Sequence, residues 1–246
     1  MSYMIGVDVG GTFTDFSIFQ VETGRLIHYK DRSTPADPSV AIVNGIKAVM
    51  QAHHIKPEEI IYLAHGTTVA TNALIERKGA RVGLITSKGF ADLMEIGWQK
   101  RPSLYDLLKP KPEPILPIGL KCEVNERIRY DGSITQPLDE ESVYAAVRFL
   151  KEKGAEAIVI CTIFSFLNPA HERRIREIVA EVYPEVYVSV SSELVPEFRE
   201  FSRMSTTVLN AYLGPIMKKY VHNFEQCIQD VGISVRPYVT QSNGSI

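Results

Sequence analysis

The chain opens with period-two patterning. Tyr3 to Val9 is an apolar, β-branched run, Phe13 to Val21 alternates apolar and polar residues, and Leu26 to Arg32 resumes after Glu22-Thr23-Gly24. Successive strand side chains point to opposite faces, so such runs separated by glycine turns predict three antiparallel strands. The period then lengthens. Asp37 can cap a helix with Pro38 at its first position, and Ile42, Ile46, Val49 and Met50 recur at helical spacing to about His53. Strand and helix patterns alternate from there: strand over Ile60 to Ala64, helix over Thr67 to Lys78, strand over Arg81 to Thr86, short helix over Phe90 to Ile96. Arg101 to Pro117 holds five of the 14 prolines, which predicts a long shaped loop. A strand is predicted over Lys121 to Tyr130, closed by Asp131-Gly132, then a helix over Asp139 to Lys153 and a buried strand over Ala155 to Phe164. Asn168-Pro169 opens a helix to Tyr183, Val186 to Val190 is a strand, Met204 to Val231 a long helix bent near Gly214-Pro215, and Ser234 to Thr240 the last strand. This order predicts an α/β fold with a mixed sheet and flanking helices. The chain closes on Gln241 to Ile246, a loop start, and reads as a truncated chain or one half of a divided protein.

Bulk properties narrow the function. The net charge is -2, from 27 basic and 29 acidic residues, and Lys109, Lys111 and Arg173-Arg174 form no sustained basic stripe, which argues against nucleic acid as a partner. Cys122, Cys161 and Cys227 are far apart and form no C-x-x-C pair, the pattern of free thiols in a reducing compartment. The N-terminus lacks a basic region followed by an apolar one, and no stretch approaches the ~18 apolar residues of a membrane span. The expectation is a cytoplasmic protein that does not enter the membrane.

The most informative stretch is Asp8-Val9-Gly10-Gly11-Thr12-Phe13-Thr14-Asp15. Phosphate sites need backbone N–H groups turned toward the ligand, and glycines let the backbone approach closely. Thr12 and Thr14 can add hydroxyls, and Asp8 and Asp15 can hold Mg²⁺, since hard cations take oxygen ligands. The turn joins two strands, so it is neither a Walker loop nor a dinucleotide fingerprint. A plain hairpin is the competing reading. Against it stands Asp8, because an aspartate at the end of an apolar strand is costly if buried without partners.

This stretch resembles the first phosphate motif of the actin, chaperone and sugar kinase superfamily, in the wording of its hydantoinase/5-oxoprolinase branch. His65-Gly66-Thr67-Thr68-Val69-Ala70-Thr71-Asn72-Ala73-Leu74-Ile75-Glu76-Arg77 resembles a second block of that family, and Glu126-Arg127 with Tyr130-Asp131-Gly132 a third. A fourth runs from Pro196-Glu197-Phe198-Arg199-Glu200 through Arg203 to Asn210-Ala211-Tyr212, and Gln241-Ser242-Asn243-Gly244 resembles a fifth. The resemblance implies a ribonuclease-H-like, actin/sugar-kinase type fold, with residues 1–200 as an N-terminal domain and 201–246 as the start of a second. It implies ATP and Mg²⁺ as cofactors, with Asp8 and Asp15 catalytic, Asp8 on the metal, and Gly10 to Thr14, Phe13 included, at the nucleotide. It also implies substrate contacts from His65, Gly66, Thr67, Thr68, Asn72, Arg203 and Asn210. The implied reaction is ATP-dependent hydrolysis of a cyclic amide by phosphorylation of its carbonyl oxygen. Carboxylation of a ketone of the acetone or acetophenone type is the alternative, and a non-catalytic assembly module a third reading. A second phosphate turn is expected beyond residue 246, so the chain is expected to act with a complementary portion or subunit in a larger oligomer.

Several residues carry two readings. Thr67 and Thr68 sit where a strand meets a helix, suiting an anion or a simple cap. His53-His54 are adjacent and point apart on a helix, which disfavours a shared metal. His171 with Glu172 reads as a surface or capping feature; Glu126 and Arg127 as strand neighbours on opposite faces, one of them reaching a cleft or paired across strands; and Trp98 as core or as a pocket wall. Arg203 is either part of a solvated charge run or a carboxylate ligand, and Asn210 is a poor helix former that hints at a specific contact.

Overall fold

A computed structural model describes residues 1–34 and 38–240, in two compact units, Met1–Lys78 with the chain from Ile216 onward, and Gly79–Pro215. The expected cap Asp37 and the fifth family block from Gln241 lie outside the described residues.

The first unit begins with β1 (Tyr3–Val9), β2 (Phe13–Gln20) and β3 (Arg25–Arg32), an antiparallel meander as predicted. Gly24 takes φ 67° in the second turn, a conformation glycine adopts without steric cost. Helix α1 (Pro38–His53) follows and stops where His54 turns to φ 53°. Strand β4 (Ile60–Thr67) then lies parallel to β1, and α2 (Val69–Ile75) is shorter than the predicted Thr67 to Lys78.

The second unit is a parallel sheet. Its elements are β5 (Val82–Ser87), α3 (Leu93–Ile96), β6 (Lys121–Val124), β7 (Arg127–Ile128), β8 (Ile134–Gln136), α4 (Glu140–Glu152), β9 (Ala157–Cys161), α5 (Ala170–Val182), β10 (Tyr187–Val190) and α6 (Ser191–Leu194). Strand order is β10-β9-β5-β6, and every residue of β5 and β9 is buried, as an apolar strand covered on both faces must be. Helices α4 and α5 supply Val143, Val147, Leu150, Ile175, Ile178 and Val179 to its core. The single strand predicted over Lys121 to Tyr130 is instead two. β6 joins the sheet, while β7 pairs with β8 around the Asp131-Gly132 turn. The break falls at Glu126, whose side chain turns inward to Ser87 and His171 rather than outward along a strand. Trp98 is 54% exposed, not core, and lies edge-on to Phe201.

Helix α7 (Glu200–Asp230) runs through Pro215, where the units divide. Its later part returns Tyr220, Phe224 and Ile228 to the first unit's core, against Ile5, Val7, Leu63, Ile42 and Ile46. Strand β11 (Tyr238–Val239) then adds parallel to β4, giving the order β11-β4-β1-β2-β3. On the core face of this sheet Phe16 rests on Gly45 of α1, where a Cβ would stand 2.1 Å from the ring. The opposite face carries Met4, Asp8, Asp15, Phe19, Leu26 and Lys30, most of them exposed.

Candidate functional site

The diglycine turn is built by hydrogen bonds from a distant segment. Gly10 N–H donates to the Phe13 carbonyl at 3.0 Å. Ser33 Oγ donates to the Gly10 carbonyl at 2.8 Å, and Ser33 N–H to the Thr12 carbonyl at 2.9 Å. Thr14 Oγ1 completes the knot 3.0 Å from Ser33 Oγ, so this buried threonine is spent on the turn. A Cβ on Gly10 would stand 3.1 Å from the Phe13 carbonyl, so glycine is needed there for close approach and not for a left-handed backbone. The N–H groups of Gly11 and Thr12 donate to no described residue. Phe13, at the tip, lies under the Lys30 ammonium at 5.0 Å.

Strand register sets a polar row on the sheet's exposed face. Asp8 stands opposite Asp15 on one side and Gly66 on the other, and Asp15 opposite Lys30. Asp15 pairs with Lys30 at 3.0 Å, whereas Asp8 makes no hydrogen bond or ion pair with a described residue. Gly66 leaves room for the Asp8 carboxylate, since a Cβ there would stand 3.2 Å from Oδ1. Asp8 is exposed, so the cost of burying a lone carboxylate does not arise.

A cavity of about 480 Å³ opens at the carboxyl ends of the neighbouring parallel strands β1 and β4. Ligands of α/β proteins bind characteristically outside strand carboxyl ends. Gly10, Gly11, Thr68 and Asn72 line it, and Asn72 donates to Thr68 Oγ1 at 3.3 Å one turn back on α2. Sequence reasoning missed its other polar walls. Ser33 and Thr34 follow β3, Glu76 and Lys78 follow α2, and Lys219, Tyr220 and Asn223 come from α7. The last three recur at i, i+1 and i+4 beside the apolar Ile216, a spacing that marks one helix side but gave no motif.

His65 does not line this cavity. It is fully buried on the core face, its Nε2 bonded to the Tyr220 hydroxyl and its ring 4.9 Å from that of Phe224. Burial pulls its pKa down to about 4, opposed slightly by the Val7 carbonyl. A ring so enclosed cannot touch a substrate from the open face. Thr67 Oγ1 accepts from Val69 N–H at 3.2 Å, one residue before the cap position Thr68 of α2.

Arg203 and Asn210 belong to the second unit. Arg203 is 1% exposed, donating from Nη2 to the Thr162 carbonyl at 2.8 Å and from Nη1 to the Glu197 carbonyl at 3.0 Å. Nearby, Glu172 accepts from Thr162 N–H, Ser191 Oγ and Ser192 N–H. Asn210 donates to Ser189 Oγ at 2.8 Å. These bonds hold strand ends and helices together. The predicted surface or capping role for His171 and Glu172 is corrected, since both are buried, His171 on Glu126 at 2.7 Å. Cys161 is sealed beside this network, and burial pushes its thiol up to about 11. No cluster of potential metal-binding side chains, and no helix long and apolar enough to cross a membrane, occurs among the described residues.

The alpha subunit of caprolactamase from Pseudomonas jessenii is 38% identical over 99% of the chain, which covers 36% of that protein. The acetophenone carboxylase gamma subunit of Aromatoleum aromaticum is 38% identical over 87% of the chain and 31% of its own length. 5-Oxoprolinase 1 of Arabidopsis thaliana is 31% identical over 98% of the chain and 21% of its own length. The crystal structure of the ATP-dependent caprolactamase superposes with a TM-score of 0.88 at 37% identity, over 98% of the chain and 36% of that structure, and so shares its mixed α/β architecture. The chain thus spans about a third, or less, of the length of these relatives. Models of the hydantoinase/oxoprolinase N-terminal region and of hydantoinase/oxoprolinase match residues 4–183 and 203–246 respectively, and the chain belongs to the hydantoinase/oxoprolinase family.

Proposed function

We propose that this chain is the N-terminal, phosphate-gripping part of a cytoplasmic ATP-dependent cyclic-amide hydrolase, with a ribonuclease-H-like, actin/sugar-kinase type fold. The observation that carries the reading is the end of β1, where Asp8, which pairs with no described residue, stands beside a turn whose Gly11 and Thr12 N–H groups donate to no described residue. Backbone donors of this kind suit phosphate oxygens, and an exposed carboxylate with Gly66 making room suits Mg²⁺ or its waters. Asp15 stands alongside and can share that role once Lys30 yields it. Bound ATP with Mg²⁺ supplies the phosphoryl group that turns an amide oxygen, otherwise a poor leaving group, into a good one. The chain's own task is to fix the phosphates against the turn and the amide beyond them. Thr68 and Asn72, on the cavity wall next to Gly11, are placed to hold that amide. We read residues 1–200 as the N-terminal domain and 201–246 as the start of the next, a reading supported by the two family models matching 4–183 and 203–246. Two relatives are named as subunits, which supports a complementary polypeptide and an oligomeric assembly.

Calorimetry of Mg-ATP binding to the chain and to Asp8→Ala tests the phosphate site. Loss of at least tenfold in affinity, about 1.4 kcal/mol, is expected on removing the carboxylate, and equal affinities would sink the assignment. A second reading, a subunit of a ketone carboxylase, is favoured by the acetophenone carboxylase relative. Bicarbonate-dependent ATP consumption with a ketone in the complete assembly would select it, and consumption with a cyclic amide would select the hydrolase.

A further inference from the structure

The second unit carries an aromatic cluster on its surface with an ordered arginine at its centre. Trp98 is 54% exposed and Phe198 66%, and the half-buried Phe201 meets Trp98 edge-on at 5.7 Å. The Arg199 guanidinium lies over two of these rings, 5.9 Å from the centroid of Trp98 and 5.5 Å from that of Phe198. Contacts with ring faces hold a guanidinium in place without using its N–H groups. Those groups donate to no described residue, although Glu197 and Glu200 flank Arg199 in the chain.

The backbone at Arg199 is unusual. His54 and Arg77 also have positive φ, 53° and 54°, but each follows the end of a helix, where the left-handed region is common. Arg199 has φ 77° and precedes a helix, its carbonyl accepting from Arg203 N–H at 3.1 Å as α7 begins. A residue in that place ordinarily has extended backbone and a short side chain that caps the helix. Arg199 has neither. A non-glycine residue held in the left-handed region is costly, and such residues cluster at binding clamps and active sites.

We propose that this cluster is the docking surface for the complementary polypeptide of the assembly, and that Arg199 receives a carboxylate of that polypeptide. This rests on the complementary polypeptide proposed above and adds to it the surface used and the chemistry of the partner. Large aromatic rings around an arginine are the composition of interface hot spots. The planar guanidinium fork matches a carboxylate through two parallel hydrogen bonds. Lys100 and Arg101 follow Trp98 in the chain, are exposed and pair with no described residue, so an acidic segment suits this surface better than a basic one. Apolar exposure continues along the same stretch at Leu104, Tyr105, Leu107 and Leu108, each 71% exposed or more. Apolar surface gathered in this way marks a contact region.

The test is carbodiimide cross-linking of the complete assembly carrying Arg199→Lys, read by mass spectrometry, beside the assembly affinity of Arg199→Gly. Carbodiimide joins an amine to a carboxylate in direct contact and adds no spacer. The expected result is a link from position 199 to an Asp or Glu of the complementary polypeptide. Arg199→Gly removes the guanidinium but suits the left-handed backbone, so thermal unfolding of the chain should be nearly unchanged. The dissociation constant of the assembly should nevertheless rise about tenfold or more, as for loss of a hot-spot side chain. Arg25→Gln, an exposed arginine of β3 in the first unit, should leave assembly unchanged. The proposal is overturned if position 199 links only to Glu197 or Glu200, to a second copy of this chain, or to nothing, or if the Arg199→Gly assembly is as tight as the unaltered one. Binding to phosphatidylglycerol vesicles that Arg199→Gly abolishes would overturn it in favour of a membrane contact. A complementary polypeptide that joins the unaltered chain but ignores Arg199 sinks this proposal alone, whereas a chain that joins none sinks the two-polypeptide reading as well. Mg-ATP calorimetry of Arg199→Gly should match the unaltered chain, which keeps the phosphate site a separate question.

Discussion

His65 should make the first unit acid-sensitive. The ring is fully buried and held neutral, with its pKa drawn from 6.5 to about 4 by desolvation. In the unfolded chain it titrates normally, so between these two values the unfolded state binds more protons than the folded one. Stability then rises with pH through this window and is lost as pH falls through it. With those two pKa values the loss attributable to His65 is about 2 kcal/mol by pH 5 and about 3 kcal/mol by pH 4. Trp98, the only tryptophan, lies in the second unit, so its fluorescence reports on the wrong part of the molecule. Amide hydrogen exchange of β1 and β4, measured from pH 7.5 to 5 and corrected for intrinsic rates, reads the right one. The comparison is with His65→Gln, which removes the titrating group and keeps a partner for the Tyr220 hydroxyl. The variant's protection should depend less steeply on pH, by about 2 kcal/mol over the range. Parallel pH profiles for the two proteins would refute the claim that a neutral buried imidazole governs this behaviour.

Two further outcomes follow from packing and buried charge. Gly45→Ala places a methyl 2.1 Å from the Phe16 ring, and thermal unfolding should show a loss of about 1–3 kcal/mol or more, partly recovered in Gly45→Ala/Phe16→Leu. Glu126→Ala removes the carboxylate shared by Ser87 and His171 and should cost about 3–5 kcal/mol by urea unfolding, an amount that Glu126→Gln lessens by keeping one acceptor.

The meander and the alternating helices and strands were legible because each is a local pattern. Tyr3 to Val9 and Ala157 to Cys161 are apolar runs whose burial needs no knowledge of distant residues. The errors arose where a distant partner overrides the local signal. Glu126 sits in an apparent strand, and only Ser87 and His171, 39 and 45 residues away, pull it inward and break the strand. His65 was expected at the substrate, and its buried partner Tyr220, 155 residues on, gave no local sign. Gly10 and Gly11 were identifiable from composition, whereas Ser33, which ties the turn together, is one serine among many. Lys219 was equally invisible as a cavity wall, since a lone lysine on a helix is ordinarily a solvated one.

The first unit is assembled from two stretches of chain separated by the whole of the second, and this has a consequence for synthesis. A ribosome delivers β1 to α2 early, then residues 79–215, and only afterwards Tyr220, Phe224, Ile228 and β11. At roughly 5–20 residues per second the early stretch waits about 7–30 s for the residues that close its core. During that interval the apolar side of the β1–β4 sheet, with Ile5, Val7 and Leu63, has α1 but not the later part of α7 to shield it. The second unit is continuous in sequence and has no such delay. Joining ends separated by that much chain costs on the order of 4 kcal/mol if the intervening residues are unfolded, and less once they have folded. The order of emergence therefore favours completion of the middle of the chain before its beginning.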